Sequence, residues 1–327
     1  MASDPVQAPV ENRADESHGG RPWVIVNPRA GGGISQNKWA RMAGAVAAGL
    51  GEFHLRFTDA QGHATEIARE IAMRGDQLVV AFGGDGTISE VASGLLAASA
   101  AGAPASALGI IPRGTGGDYR RTLELPTDIT QAAEHIRRSS AHTVDAGRAI
   151  FTAPDGSTAT RTFVNVASFG FSSAVAARAN LSSKAFGAKS AFLGALVRTL
   201  MVYENTEVML ELDGAEPVRR TVMLAAIGNG RYFGGGMKIC PDSKLDDGRL
   251  SLVTVGDLGK LKVLANLPRL FAGTHLTLED VRATTIQRLR VSPVDPEQII
   301  PIELDGETPG RLPATFEVLP RALRVRF

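Results

Sequence analysis

One cysteine, Cys240, in a chain of 327 residues excludes an internal disulfide and any metal site built from several thiolates. Its simplest role is that of a small buried apolar side chain, not a reactive thiol. Neither sign of charge is in excess: 35 Lys and Arg stand against 34 Asp and Glu. The formal net charge is +1 and no Lys/Arg run stands out, so nucleic acid is not an expected partner. No stretch reaches the roughly 20 apolar residues that a membrane span needs. The six histidines lack metal-ligand spacing, and His63 and His135 read as surface residues. Residues 1–20 contain no apolar run and are rich in Pro, Ala, Asp, Glu, Asn and Gly. They read as a disordered tail, not a secretion signal, and the expected compartment is the cytoplasm.

Two familiar phosphate-binding patterns are absent. A P-loop requires G-x-x-x-x-G-K-[ST], and the frame beginning at Gly32 puts Asn37 and Trp39 at required Gly and Ser/Thr positions. The dinucleotide pattern G-x-G-x-x-G fails at Gln36 in the Gly31/Gly33 frame and at Ser89 in the Gly84/Gly86 frame.

What is present is strand–helix alternation. Trp23–Val26, Phe53–Phe57, Leu78–Phe82 and Leu108–Ile111 read as strands. Between them, Trp39, Met42, Val46 and Leu50 recur at helical spacing, and helices are expected over Ala64–Arg74 and Thr87–Ala98. The continuous apolar run at 78–82 fits a central strand covered on both faces. The pattern predicts an α/β fold with an open, mostly parallel sheet flanked by helices.

Near residue 144 the texture changes. Pro154-Asp155-Gly156-Ser157 and Asp213-Gly214 are hairpin signals, the latter between Val208–Leu212 and Val218–Ile227. Further β-rich segments lie at 250–255, 284–291, 299–304 and 314–318, with helices confined to about 174–203 and 257–272. A second domain of mainly antiparallel strands, a β-sandwich, is expected.

Three glycine turns follow strands of the first half: Gly31–Gly33, Gly83–Gly86 and Gly114-Thr115-Gly116-Gly117-Asp118. Strand–glycine turn–helix exposes backbone N–H groups to an anion, and glycine lets the main chain approach phosphate oxygens. In a parallel sheet such turns gather at the carboxyl edge, where ligands bind.

Gly83-Gly84-Asp85-Gly86-Thr87 with Glu90-Val91 resembles the signature of diacylglycerol, sphingosine and ceramide kinases and their bacterial lipid-kinase relatives. NAD kinases share the Gly-Gly-Asp-Gly core. The wider pattern is similar to the diacylglycerol-kinase-like bacterial branch: Asn27-Pro28 before glycines, Ile111 to Gly116, Asn229 to Pro241, Asp246-Asp247-Gly248 and Leu304-Asp305-Gly306-Glu307.

The resemblance implies an NAD-kinase/diacylglycerol-kinase-like architecture. Its parts are a nucleotide-binding catalytic domain over 21–144, a lipid-substrate domain over 145–318, and a terminal strand, 319–327, that returns to the first domain. It implies transfer of the ATP γ-phosphate to a lipid hydroxyl in a cleft between the domains. It further implies peripheral contact with the inner membrane face and phospholipid biosynthesis, with a homodimer as an option. By position, Asn27, Thr58, Gly83, Gly84, Asp85, Gly86, Thr87, Ile88, Ser89, Glu90, Gly114 and Thr115 match nucleotide-contacting residues. Glu307 matches a general base, and Asp85 a residue acting near the γ-phosphate. Lys244, Asp247 and Arg249 match a structural Mg²⁺ site with two backbone carbonyls and one carboxylate.

The glycine turn after the strand at 108–111 departs from the family pattern, with Gly117 where an Asn is usual. That leaves a non-catalytic nucleotide- or lipid-binding regulator as one alternative; an NAD kinase, with the same Gly-Gly-Asp-Gly core, is the other. Taken alone, Asp305-Gly306-Glu307 and Asp246-Asp247-Gly248 read as turns with solvated acids. Phe169, Phe171, Phe186, Phe192, Leu193, Leu196 and Val197 are candidates for an acyl-chain pocket or for ordinary core. Lys184, Lys189 and Arg198 are candidates for headgroup contacts or a solvated helix face.

Overall fold

A computed structural model describes residues 20–34, 36–114, 116–181, 194, 196 and 198–327. Residues 1–19, Thr115, Lys184, Phe186, Lys189, Phe192, Leu193 and Val197 lie outside the described residues. The chain divides into two compact units. One comprises residues up to Gly114, Leu125–Ala141 and Val325–Phe327; the other comprises Thr115–Glu124 and His142–Arg324.

The first unit is α/β. Strands β1 (Trp23–Val26), β2 (His54–Phe57), β3 (Leu78–Gly83) and β4 (Ala107–Pro112) form a parallel sheet in the order β4-β3-β1-β2. Alternate residues serve the two faces, as the two-residue strand period requires. Val24, Val26, Val80, Phe82 and Ile111 join a core with Val46 and Leu50 of α1 (Gln36–Leu50) and Ala132, Ala133 and Ile136 of α5 (Ile129–Arg138). Trp39 of α1 packs edge-on against Phe57 and Phe82. Helices α2 (His63–Met73) and α3 (Asp85–Ala100) pack together and against β1 and β3. The short α4 (Asp118–Thr122) belongs to the second unit.

The second unit is mainly antiparallel. Its strands are β5 (Ala141–Thr152), β6 (Thr158–Phe163), β7 (Val166–Gly170), β8 (Thr206–Leu212), β9 (Val218–Val222), β10 (Leu224–Gly228), β11 (Leu250–Val255), β12 (Val281–Ile286), β13 (Arg288–Pro293), β14 (Pro301–Leu304) and β15 (Glu307–Arg326). They run β12-β11-β10-β7-β14-β15, while β13 joins β15 to β8, and β5 pairs with β15 and β6. Ala167, Phe169, Ala225, Ile227, Leu250 and Leu252 face a core shared with Phe163, Leu289 and Phe316. Val166, Leu224, Ala226 and Val253 face a second core with Phe233, Met237, Ile239 and Cys240. Both faces are therefore covered, which explains the unbroken apolar run of β10 and the full burial of β7. Helix α6 (Phe171–Leu181) contributes Phe171 and Val175 to a third cluster with Leu196, Leu200, Met223 and Leu258. Val263 and Leu267 of α7 (Lys260–Ala272) pack against that cluster.

Several expectations need correction. The stretch 218–227 is two strands, β9 and β10, broken at Met223, whose N–H donates to Val255 O (2.9 Å) and whose carbonyl accepts from Phe171 N (2.8 Å). The stretch 284–291 is also two strands, broken at Gln287. Helix α3 starts at Asp85, so the expected turn at 83–86 is half helix. His63 and His135 are half-buried. Cys240 lies in the core as expected, and burial pushes its thiol up to about 12. Phe169, Phe171 and Leu196 are core residues, and Arg198 is exposed.

Candidate active site

In the first unit the nucleotide candidates collect at one edge. Asn27, Thr58, Gly83–Gly84 and Gly114 follow β1, β2, β3 and β4, at the carboxyl ends of four adjacent parallel strands. Main-chain bonds carry the sheet into these turns: Asn27 N donates to Phe82 O (3.2 Å), Thr58 N to Val26 O (2.9 Å) and Arg113 N to Gly83 O (2.6 Å). Gly84 is extended, and α3 begins directly after it with Asp85 in its first turn. The amides of that first turn have no acceptor four residues back within the helix, which makes its start an anion-binding end.

Two contacts fix the shape of this edge. Asn27 Nδ2 donates to Thr87 Oγ1 at 3.1 Å, tying the end of β1 to the first turn of α3. A Cβ on Gly114 would come within 2.9 Å of Gly84 Cα, so the turns after β3 and β4 meet backbone to backbone.

Two nucleotide candidates have other tasks. Glu90 accepts from Gly62 N (2.9 Å) with one carboxylate oxygen and from Ala64 N (3.1 Å) with the other. It caps the start of α2, and a carboxylate has no donor to offer a phosphate. Ile88 is 1% exposed, its side chain in the core and its N–H bonded to Gly84 O (3.1 Å). Thr115 lies outside the described residues.

In the second unit, Glu307 opens β15 across a tight hairpin from Leu304. Its carboxylate accepts from Arg161 Nη1 of β6 at 2.8 Å. Asp305, in the left-handed region at φ 48°, is not a solvated turn acid. Its carboxylate accepts from Val164 N (2.9 Å), Asn165 N (3.0 Å) and Val166 N (3.1 Å), which locks the hairpin to the start of β7. Below the hairpin, Glu303 accepts from Gly306 N (2.8 Å) and from Ser168 Oγ, itself bonded by Ser172 Oγ (2.8 Å). Burial pushes the Glu303 carboxyl up to about 7, the nearby charges of Asp305 and Asp118 add to this, and the bonds from Ser168 and Gly306 oppose it.

Lys244, Asp247 and Arg249 sit on one loop before β11. Asp247 Oδ1 accepts from Arg249 N (3.0 Å), while Oδ2 makes no hydrogen bond among the described residues. The Arg249 guanidinium turns to β12, bonding Thr285 Oγ1 (2.8 Å) and Thr285 O (3.0 Å). Asp145, fully buried, holds the loop: it accepts from Gly248 N (2.7 Å) and Arg321 N (2.7 Å), and its own N–H donates to Leu245 O (2.5 Å). Among the described residues no group of three or more His, Cys, Asp or Glu is placed to hold a metal ion. A cation here would take one carboxylate oxygen with carbonyls and water, a hard-oxygen set that fits Mg²⁺.

Sequence reading missed Asp118, Asp145 and Glu303 as organising groups. Asp145 and Glu303 did leave a signal, a lone acid between apolar neighbours in a strand: Val144-Asp145-Ala146 and Ile302-Glu303-Leu304. Asp118 starts α4, accepting from Gly235 N (2.7 Å) and from Arg121 Nη1 (3.1 Å). Gly117 precedes it in the left-handed region (φ 64°), which Gly adopts without penalty and Asn tolerates. The departure from the family pattern thus keeps the backbone turn and deletes only an amide side chain.

Comparison with known proteins sets this geometry in context. Residues 21–149 match the diacylglycerol kinase catalytic domain, and residues 165–327 match the YegS C-terminal NAD kinase beta sandwich-like domain. A diacylglycerol kinase of Mycobacterium tuberculosis (strain H37Rv) is 32% identical over 253 residues, 77% of this chain and 77% of the relative. One from Bacillus subtilis (strain 168) is 29% identical over 306 residues, 92% of this chain and 94% of the relative. Among solved structures, a candidate diacylglycerol kinase from Bacillus anthracis (strain Sterne) superposes with a TM-score of 0.73 at 26% identity, covering 94% of this chain and 97% of the other.

Proposed function

Because this chain belongs to the diacylglycerol-kinase-like lipid kinase family, we propose that it transfers the γ-phosphate of ATP to a hydroxyl of diacylglycerol or a related lipid. The observation that carries the reading is the meeting of the Gly84 and Gly114 turns, with Asn27 and Thr58, at the carboxyl edge of the parallel sheet. Main-chain donors and the first turn of α3 suit a polyphosphate, and phosphoryl transfer needs chiefly positioning and charge neutralisation.

Asp85, in that first turn, acts near the γ-phosphate. Glu307 takes the proton of the acceptor hydroxyl as its oxygen bonds to phosphorus, the bond to the bridging oxygen breaks, and ADP leaves. Arg161 orients the Glu307 carboxylate through their ion pair. Asp247, with the carbonyls of Lys244 and Arg249, would hold Mg²⁺ at this loop, where the ion would supply positive charge beside the acidic turn.

The test is incubation of the protein with labelled ATP and either lipid micelles or NAD. Labelled lipid is the expected product. Labelled NAD with untouched lipid would establish an NAD kinase instead, and label in neither would favour a non-catalytic binder. Asp85→Ala and Glu307→Ala are each expected to lower lipid turnover about a hundredfold or more. Unchanged rates in both would remove the site assignment.

A further inference from the structure

Helix α7 has two apolar faces, and only one is covered. Val263 and Leu267 pack into the cluster of Phe171, Leu200 and Met223, and Leu270 packs against the core around Ile239. None of the helix is fully buried. At 3.6 residues per turn, Leu261, Leu264, Pro268 and Phe271 share a different arc. That arc is open: Leu261 is 84% exposed, Phe271 54% and Leu264 38%. Met201 and Val202, each 63% exposed, extend it, since Lys260 Nζ donates to Met201 O.

The charges around this arc narrow its partner. Helix α7 contains Lys260, Lys262 and Arg269 and no acid. On the helical wheel Lys260 borders the apolar arc on one side, and Lys262 and Arg269 border it on the other. Lys262 shares its charge with Asp280, and Arg269 reaches Thr277 Oγ1 at 3.4 Å. An apolar strip edged by cations on both sides matches a layer whose interior is apolar and whose surface is anionic. Among the described residues no helix is long and apolar enough to cross a membrane, so contact through α7 would be from the surface.

We infer that the outward face of α7, with Met201 and Val202, docks the protein onto an anionic lipid bilayer. The choice of a bilayer over a protein groove rests on the lipid-kinase reading, because a lipid acceptor is met at such a surface. Leu261, Leu264 and Phe271 enter the acyl boundary while the cations meet headgroups.

The experiment uses the full chain with phosphatidylcholine vesicles, with and without phosphatidylglycerol, read by co-sedimentation. The protein is expected on the anionic vesicles and is expected to dissociate at high salt. Leu261→Glu with Phe271→Glu should weaken vesicle binding about tenfold or more. Both side chains are exposed, so the thermal midpoint should not move; Leu264→Glu provides an independent second variant. Phosphorylation of a water-soluble short-chain diacylglycerol should be unchanged in the double variant, while that of vesicle-embedded diacylglycerol falls with binding. Undiminished vesicle binding in both variants overturns the inference, as does a wild-type protein that ignores anionic vesicles. A wild-type dimer that both variants dissolve, with vesicle binding unaffected, would assign the face to a second copy of the chain. If neither lipid is phosphorylated yet vesicle binding still depends on Leu261 and Phe271, the docking face stands and the kinase reading falls.

Discussion

Between Gly84 and Gly114 there is no room for a methyl group, since a Cβ on Gly114 would lie 2.9 Å from Gly84 Cα. Backbone cannot rotate aside as a side chain can, so Gly114→Ala must push the turns after β3 and β4 apart. Overpacking of this kind costs about 1–3 kcal/mol. Because the strain falls on the proposed phosphate-binding edge, ATP affinity by calorimetric titration should drop about tenfold while the circular dichroism spectrum is retained. Gly117→Asn, at a left-handed position that Asn tolerates, should fold normally and report through ATP affinity alone what the missing amide contributes. Glu303 makes a different prediction. Its carboxyl is raised from 4.5 to about 7, chiefly by burial, so the native state holds this proton more tightly than the unfolded chain. Its effect is therefore absent below about 4.5, destabilises progressively as pH rises toward 7, and is constant above. The full difference is on the order of 3 kcal/mol. Urea unfolding of wild type and Glu303→Gln across this range should show the wild type losing stability relative to the variant as pH rises.

At the level of elements, Glu90 matters more to α2 than its place in the glycine signature suggests. Its two oxygens satisfy Gly62 N and Ala64 N at a helix start where Gly62 offers no side-chain cap. Glu90→Ala should cost roughly 1–2 kcal/mol of stability by denaturant unfolding, and Glu90→Gln less, since one acceptor survives. The four strands and first three helices of the first unit were legible because their signals are local: alternation, helical spacing and glycine turns after three of the strands; α5 was not anticipated. The missed breaks have remote causes. Strands β12 and β13 part at Gln287 with no Gly, Pro, Asn or Asp nearby to mark a turn. The turn chemistry comes from Asp213 in another hairpin, whose Oδ1 accepts from Gln287 N (2.8 Å) and Arg288 N (2.7 Å). Met223 likewise breaks its run because Val255 and Phe171 claim its backbone. No spacing rule reveals such partners, and the same holds for Asp305 and Asp145, whose acceptor roles depend on chain segments brought in by the fold.

For the molecule as a whole, chain order and spatial unit do not coincide. The polypeptide leaves the first unit after Gly114, returns at Leu125, leaves again after Ala141, and ends there with Val325–Phe327. Those last residues close the edge beside β4, with Val325 fully buried and Arg326 Nη1 donating to Ile136 O (3.1 Å). Removing 325–327 should cost about 2 kcal/mol or more and lower ATP affinity, although no proposed nucleotide residue is touched; calorimetric unfolding and titration measure both. The nucleotide edge could be read from its glycines, but this dependence on the final residues could not, because only the sheet order reveals it.

The turn from Gly114 to Asp118 carries that interleaving further. Its first residue abuts Gly84 in one unit, and its last is bonded to Gly235 in the other. A recombination event that exchanged one unit for that of a distant relative would need four matched crossovers, at 114/115, 124/125, 141/142 and 324/325. One cut near residue 144 would yield a hybrid with a foreign α4 loop and a foreign closing strand. For a chain woven in this way, a hybrid joined at one crossover is expected to be less stable than one joined at all four.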